Sequence, residues 1–184
     1  MKVWMAVSVA VFALGAPHAA SAQALGMIEL RGGVFANADD AETIDPSHVE
    51  DINVEVLLGL PVLDALSPLG SVRPHVGATI NTDSKASMAY AGASWTVPLG
   101  FTPFFAEAGI GAAVAGDDLG DAVSSASDPG CRLRARASGS LGVQVTESIG
   151  VMGTLDHART TPLCDEDAGI DPRTGLGVRL GWKF

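Results

Sequence analysis

Few side chains in this sequence are placed to do chemistry, and His157 is the first of them. In Leu155-Asp156-His157-Ala158-Arg159 it shares the parity of Val151, Gly153 and Leu155, an apolar set, rather than that of Thr154 and Asp156. An imidazole on an apolar face can act as a general base or carry a proton, and an ionisable group turned toward lipid is costly to hold idle. The residues alone leave two readings open: a functional imidazole, or a histidine lying among lipid headgroups. Arg159, two residues on, carries a planar fork suited to phosphate or carboxylate. His48 falls in a loop, and His75 falls on the polar parity of its segment. Cys131 and Cys164 have no histidine or further cysteine at ligand spacing, so neither thiol catalysis nor a metal is implied. The acidic segments lack the spacing of a Ca²⁺ loop and read as solvated surface. No metal and no cofactor is expected.

The elements that must position these residues alternate with period two, and they recur about eight times. Ile28, Leu30, Gly32, Val34 and Ala36 oppose Glu29 and Arg31. Ile52 to Leu60 oppose Asn53 and Glu55, and Pro74 to Ile80 oppose Arg73, His75 and Thr79. Ala89 to Leu99, Phe104 to Val114, Leu133 to Val143, Ile149 to Leu155 and Leu176 to Phe184 repeat the pattern. Strands of about ten residues are long enough to cross a bilayer when tilted. Charges in mid-strand on the polar parity suit a barrel lumen, where Glu29, Glu55 and Glu107 could meet Arg132, Arg134 and Arg136. Segments 37–50, 115–130 and 158–171 are long and acidic, whereas 63–70, 98–102 and 145–148 are short. Short periplasmic turns and long extracellular loops mark an outer-membrane barrel. The fold class expected is therefore all-β, an eight-stranded antiparallel transmembrane β-barrel.

Residues 1–22 read as a cleaved signal peptide, with Lys2, the apolar stretch Val3–Gly15 and the small residues Ala20-Ser21-Ala22. Residues 23–184 are then the barrel domain, exported to the outer membrane of a Gram-negative bacterium. In that oxidising setting the two cysteines favour a disulfide. The chain has 184 residues, 47% of them apolar, and a formal net charge of −10. That length suits one domain, and that charge argues against nucleic acid as a partner. Lipid-facing aromatics offer a surface on which a homodimer could form.

The run Leu155-Asp-His157-Ala-Arg159-Thr160, then Leu163-Cys164, then Gly169-Ile170-Asp171, resembles the lipid A 3-O-deacylase family, also described as acyloxyacyl hydrolases. So do Arg73-Pro-His75, Ile80-Asn81-Thr82, Tyr90-Ala-Gly92, Trp95-Thr96, Phe105-Ala-Glu107, Gly130-Cys131-Arg132 and Ser140-Leu-Gly142. The resemblance covers most of residues 50–184. It implies an eight-stranded outer-membrane barrel whose active site lies on the outer wall near the extracellular leaflet. The reaction it implies is hydrolysis of the ester-linked acyl chain at the 3 position of lipid A, by serine-hydrolase logic and without a metal.

Carried over by residue, His157 matches the general base and Asp171 the acidic partner, one methylene shorter than the family's Glu. Arg159 stands in the nucleophile's place, where a guanidinium cannot attack an ester. Thr160 follows it, and a one-residue bulge could turn its hydroxyl outward beside His157. Arg159 could instead bind a lipid A phosphate through a bidentate fork. A bridge between Cys131 and Cys164, also among the resembling fragments, would pin the site loop to the rim. Two rival readings remain: a catalytically inactive lipopolysaccharide-binding or structural barrel, and a soluble periplasmic barrel for an apolar ligand.

Overall fold

The structure is a computed structural model. It describes residues 27–38, 48–60, 63, 70–83, 85–127, 132–160 and 172–184. Residues 1–22, read above as a signal peptide, together with Cys131, Cys164 and Asp171, lie outside the described residues.

Eight antiparallel strands close into a barrel: β1 (Ile28–Ala38), β2 (Asp51–Leu58), β3 (Ser71–Asn81), β4 (Ser87–Pro98), β5 (Phe104–Gly116), β6 (Leu133–Gln144), β7 (Ile149–Thr160) and β8 (Arg173–Lys183). Each strand pairs with its sequence neighbour, and β8 returns to β1 from Glu29↔Lys183 to Ala38↔Thr174. A closed ladder leaves no edge, which is what a sheet immersed in hydrocarbon requires. The tight turn before β5 uses Gly100 at φ 69°, a left-handed backbone that glycine adopts without a Cβ clash. A short helix, α1 (Leu119–Ser124), is capped by the Asp118 side chain and packs on the ends of β4 and β5.

The alternation places apolar side chains on the outer wall and charges inside, the reverse of a soluble domain. Ile110 is 71% exposed and Leu141 69%, whereas Arg31 and Glu55 are each 1% exposed. Trp95, Phe104, Trp182 and Phe184 face outward at the end bearing the short turns, with the last two rings stacked at 4.8 Å. Aromatics of this kind settle at a membrane–water interface. The shortest connection, 145–148, lies at that end and the longest, 117–132, at the other, the asymmetry by which outer-membrane barrels set their periplasmic side.

Inside, Arg31 donates to Glu107 through two nitrogens at 2.5 and 2.8 Å, to Glu29 at 2.7 Å and to Glu55 at 3.3 Å. Arg73 pairs with Glu29 and lies 3.3 Å from Glu107. Arg136 and Arg179 share Asp156 and Glu55. The expected meeting of the three glutamates with Arg132, Arg134 and Arg136 is thus corrected. Arg136 joins the network, but its chief cations are Arg31, Arg73 and Arg179. Arg132 sits before β6 at the surface and donates to Asp121 at 2.7 Å, which holds the Asp121 carboxyl below its usual range. Arg134 is buried on the inward parity beside Thr160 and Ala113.

Midway along the β4–β5 ladder of the wall, Gly92 faces Gly111. A Cβ on Gly92 would lie 2.2 Å from the Ile110 carbonyl oxygen and 2.9 Å from Nε2 of His75. Gly92→Val therefore forces backbone apart in a closed sheet. It is expected to cut the refolded fraction severalfold, read as loss of the heat-modifiable band on a gel. Gly139→Ala makes the control, since a Cβ there meets nothing within 4 Å.

Candidate functional site

The site grows from β7, whose register with β6 and β8 runs unbroken. Arg159 lies opposite Ala135, His157 opposite Ala137 on one side and Thr174 on the other, and Leu155 opposite Gly139 and Leu176. β7 extends to Thr160, so the long loop starts later than the expected 158 and His157 lies three residues inside the strand. At the rise of a strand, that is about 10 Å from its extracellular end.

The outward residues of β7 and β8 are thereby ordered by depth. Leu155 and Leu176 are exposed to the lipid at 49% and 45%. Next toward the extracellular side, His157 and Thr174 lie side by side, Nδ1 to Oγ1 at 2.9 Å, both half-buried. Arg159 stands one outward position further, exposed, about 7 Å along the strand, and makes no ion pair among the described residues. Apolar, then basic and hydroxylic, then cationic: the wall changes character over three outward positions. Ala137 and Gly139 beside it carry no bulk, which leaves the face of the imidazole uncrowded on the β6 side.

The inner face of β7 holds this set still. Asp156 and Ala158, the neighbours of His157 in the chain, point into the lumen. Asp156 is pinned there by Arg136 and by Arg179 at 3.5 Å, while Ala158 is 1% exposed. Backbone that is fastened from within can present an outward side chain with little wobble.

The residues singled out in the sequence fare differently. His157 and Arg159 share the outer wall. Thr160 does not join them: with no bulge between Arg134↔Thr160 and Gln144↔Gly150, it takes the opposite parity, with the lumen residues. The acidic partner Asp171 and both cysteines belong to segments outside the described residues. Thr174 was missed. Its signal was available, because the parity of Leu176, Val178, Leu180 and Trp182 reaches it when extended by one step. Pairing it with His157 required the β7–β8 register, which sequence does not give.

One further group has metal-ligand types within reach of each other. His48, Glu50 and Asp83 bring one donor atom each within 4.8 Å at the extracellular rim. Glu50 already receives the Lys85 ammonium at 2.9 Å, which supplies the positive charge the group needs.

No family model matches the chain, and no curated protein matches it. Among solved structures it is similar to the crystal structure of the outer membrane enzyme PagL, at TM-score 0.52 and 14% identity over 84% of this chain and 98% of that one. It is similar to a de novo designed transmembrane β-barrel at TM-score 0.51 and 12% identity, over 86% of this chain and 96% of that one. Neisserial surface protein A aligns at TM-score 0.48 and 12% identity, over 86% and 96% of the two chains. An enzyme and a designed barrel match almost equally. The likeness is one of fold, and function must be argued from the wall residues.

Proposed function

We propose that the protein, exported by cleavage after Ala22, sits in the outer membrane and acts on lipid A in the outer leaflet. The reaction is hydrolysis of an ester-linked acyl chain, as its resemblance to the lipid A 3-O-deacylases implies. The observation that carries this reading is the depth order on the outer wall. A phosphorylated glycolipid presents an anion outermost, an ester below it and a hydrocarbon chain below that. Arg159, His157 and the Leu155–Leu176 pair offer a cation, a base and an apolar surface in the same sequence. Arg159 receives a lipid A phosphate, and a guanidinium fork is the side chain suited to that geometry. His157 is the general base, and Asp171, which falls on the spacing of the family's acidic partner, is the residue that orients the ring.

The test uses refolded mature protein with lipopolysaccharide in detergent, scored by mass spectrometry for loss of a 3-linked hydroxyacyl chain. His157→Ala should lower acyl release about a hundredfold, the low end of what a positioned base contributes. The second reading, a lipid A-binding barrel without catalysis, is favoured by Arg159 in the nucleophile's place. It predicts a silent native chain and acyl release in Arg159→Ser.

A further inference from the structure

A base on the outer wall needs an oxygen to activate, and the nucleophile's position on β7 holds a guanidinium. Thr160 faces the lumen. Among the described residues the hydroxyl that touches His157 comes from the neighbouring strand: Thr174 Oγ1, 2.9 Å from Nδ1. We infer that Thr174 is the nucleophile of this site, supplied by β8 in place of a residue two positions after the base on β7. The inference rests on the reading of the site as an ester hydrolase.

Several observations converge on the pair. His157 and Thr174 are direct cross-strand partners, the closest approach two strands give to side chains on one face. Both are half-buried, so the hydrogen bond is shielded from bulk water yet open to the lipid side. The pair sits at the level where the wall turns from apolar to cationic, the level of an acyl ester. An activated hydroxyl needs hydrogen-bond contact with its base, and threonine is an established nucleophile when so activated.

The step balances with water as the only co-reactant. Thr174 Oγ1 adds to the acyl carbonyl carbon while its proton passes to Nδ1 of His157. The tetrahedral species collapses, the bond from carbonyl carbon to sugar oxygen breaks, and the leaving oxygen takes the proton from His157. Water, deprotonated by the same nitrogen, then attacks the acyl-threonine. The bond from carbonyl carbon to Oγ1 breaks, the fatty acid leaves, and His157 returns the proton to Oγ1, which restores the Thr174 hydroxyl.

The experiment combines a fluorophosphonate probe, whose adduct is located by tandem mass spectrometry, with acyl release from lipopolysaccharide. Thr174→Val keeps the shape without the hydroxyl, and Thr174→Ser keeps the hydroxyl; heat-modifiable migration establishes that each variant folds. The expected result is labelling at position 174 in the native chain and in Thr174→Ser, lost in Thr174→Val and His157→Ala. Acyl release should fall at least a hundredfold in Thr174→Val and persist in Thr174→Ser. Acyl release unchanged in Thr174→Val, or an adduct elsewhere in an active chain, overturns Thr174 as nucleophile and leaves the lipid A reading standing. Release that falls in Thr174→Val with no adduct at 174 in the native chain reduces Thr174 to a positioning residue and also overturns the inference. Labelling at 174 with lipopolysaccharide untouched sinks the lipid A reading and leaves the pair standing as an esterase of another substrate. Neither labelling nor release overturns both.

Discussion

Replacing Arg31 with methionine is expected to destabilise the barrel by about 3–5 kcal/mol, the cost of breaking a buried ion pair from one side. Arg31 is 1% exposed and meets carboxylates from three strands: Glu29 on its own, Glu55 on β2 and Glu107 on β5. Methionine fills similar space but leaves those buried carboxylates with fewer cations. Arg73 remains beside Glu29 and Glu107, and Arg179 beside Glu55, so the damage is graded rather than total. Urea titration of the refolded protein, followed by tryptophan fluorescence, gives the number. Adding Glu107→Gln to Arg31→Met should recover part of the loss, because one stranded charge is removed with its partner. A single-variant loss below about 1 kcal/mol, the worth of a solvent-exposed pair, would falsify the view that this network holds the lumen together.

The second large effect belongs to the opposite face. Ile110→Arg should cost about 2–4 kcal/mol in a bilayer, the penalty for a cation at the membrane midplane, whereas Phe104→Arg at the periplasmic interface should cost about 0–1 kcal/mol before any loss of ring contacts. Ile110 lies near the centre of β5 and is 71% exposed; Phe104 starts the same strand. A barrel whose outer wall met water would tolerate Ile110→Arg within about half a kcal/mol, like other exposed sites. The pair of variants therefore separates a lipid-facing wall from the soluble periplasmic barrel that the alternation alone allows. Depth dependence is the deciding observation, more than either value by itself.

Much of this architecture was legible in the sequence, because a strand with one polar and one apolar face writes its orientation in every second residue. Leu30 and Arg31, or Ile110 and Glu107, declare their sides without reference to any other strand. What lies across the lumen is not written that way. Arg132, Arg134 and Arg136 were natural partners for the glutamates by charge and parity, yet Arg132 falls just outside β6, beside α1. The cations that reach Glu29 and Glu107 come instead from β1 and β3. Which side chains meet inside a barrel depends on how far each strand is shifted along its neighbour, a quantity no single segment contains. The same limit explains the site. His157 could be turned outward by counting, but its hydroxyl partner could not be found from β7. Pairing extends β7 to Thr160, through Arg134, and brings β8 down to Arg173, so that Thr174 arrives beside the imidazole.

The ladder between β8 and β1 also bears on how the chain folds. Glu29 and Lys183 are neighbours in space and nearly the whole described chain apart in sequence. Every other ladder can form as a hairpin or across one loop, but this seam must wait until its two strands have been brought round together. Contacts of such separation carry the largest loop-closure entropy and slow the approach to the native state. Until the seam zips, the curved sheet carries two bare edges, one on β1 and one on β8, each able to recruit a strand from another molecule. Closing the cylinder removes both edges at once, and Thr174, already beside His157 on β7, gains Ala38 of β1 as its second strand neighbour in that step.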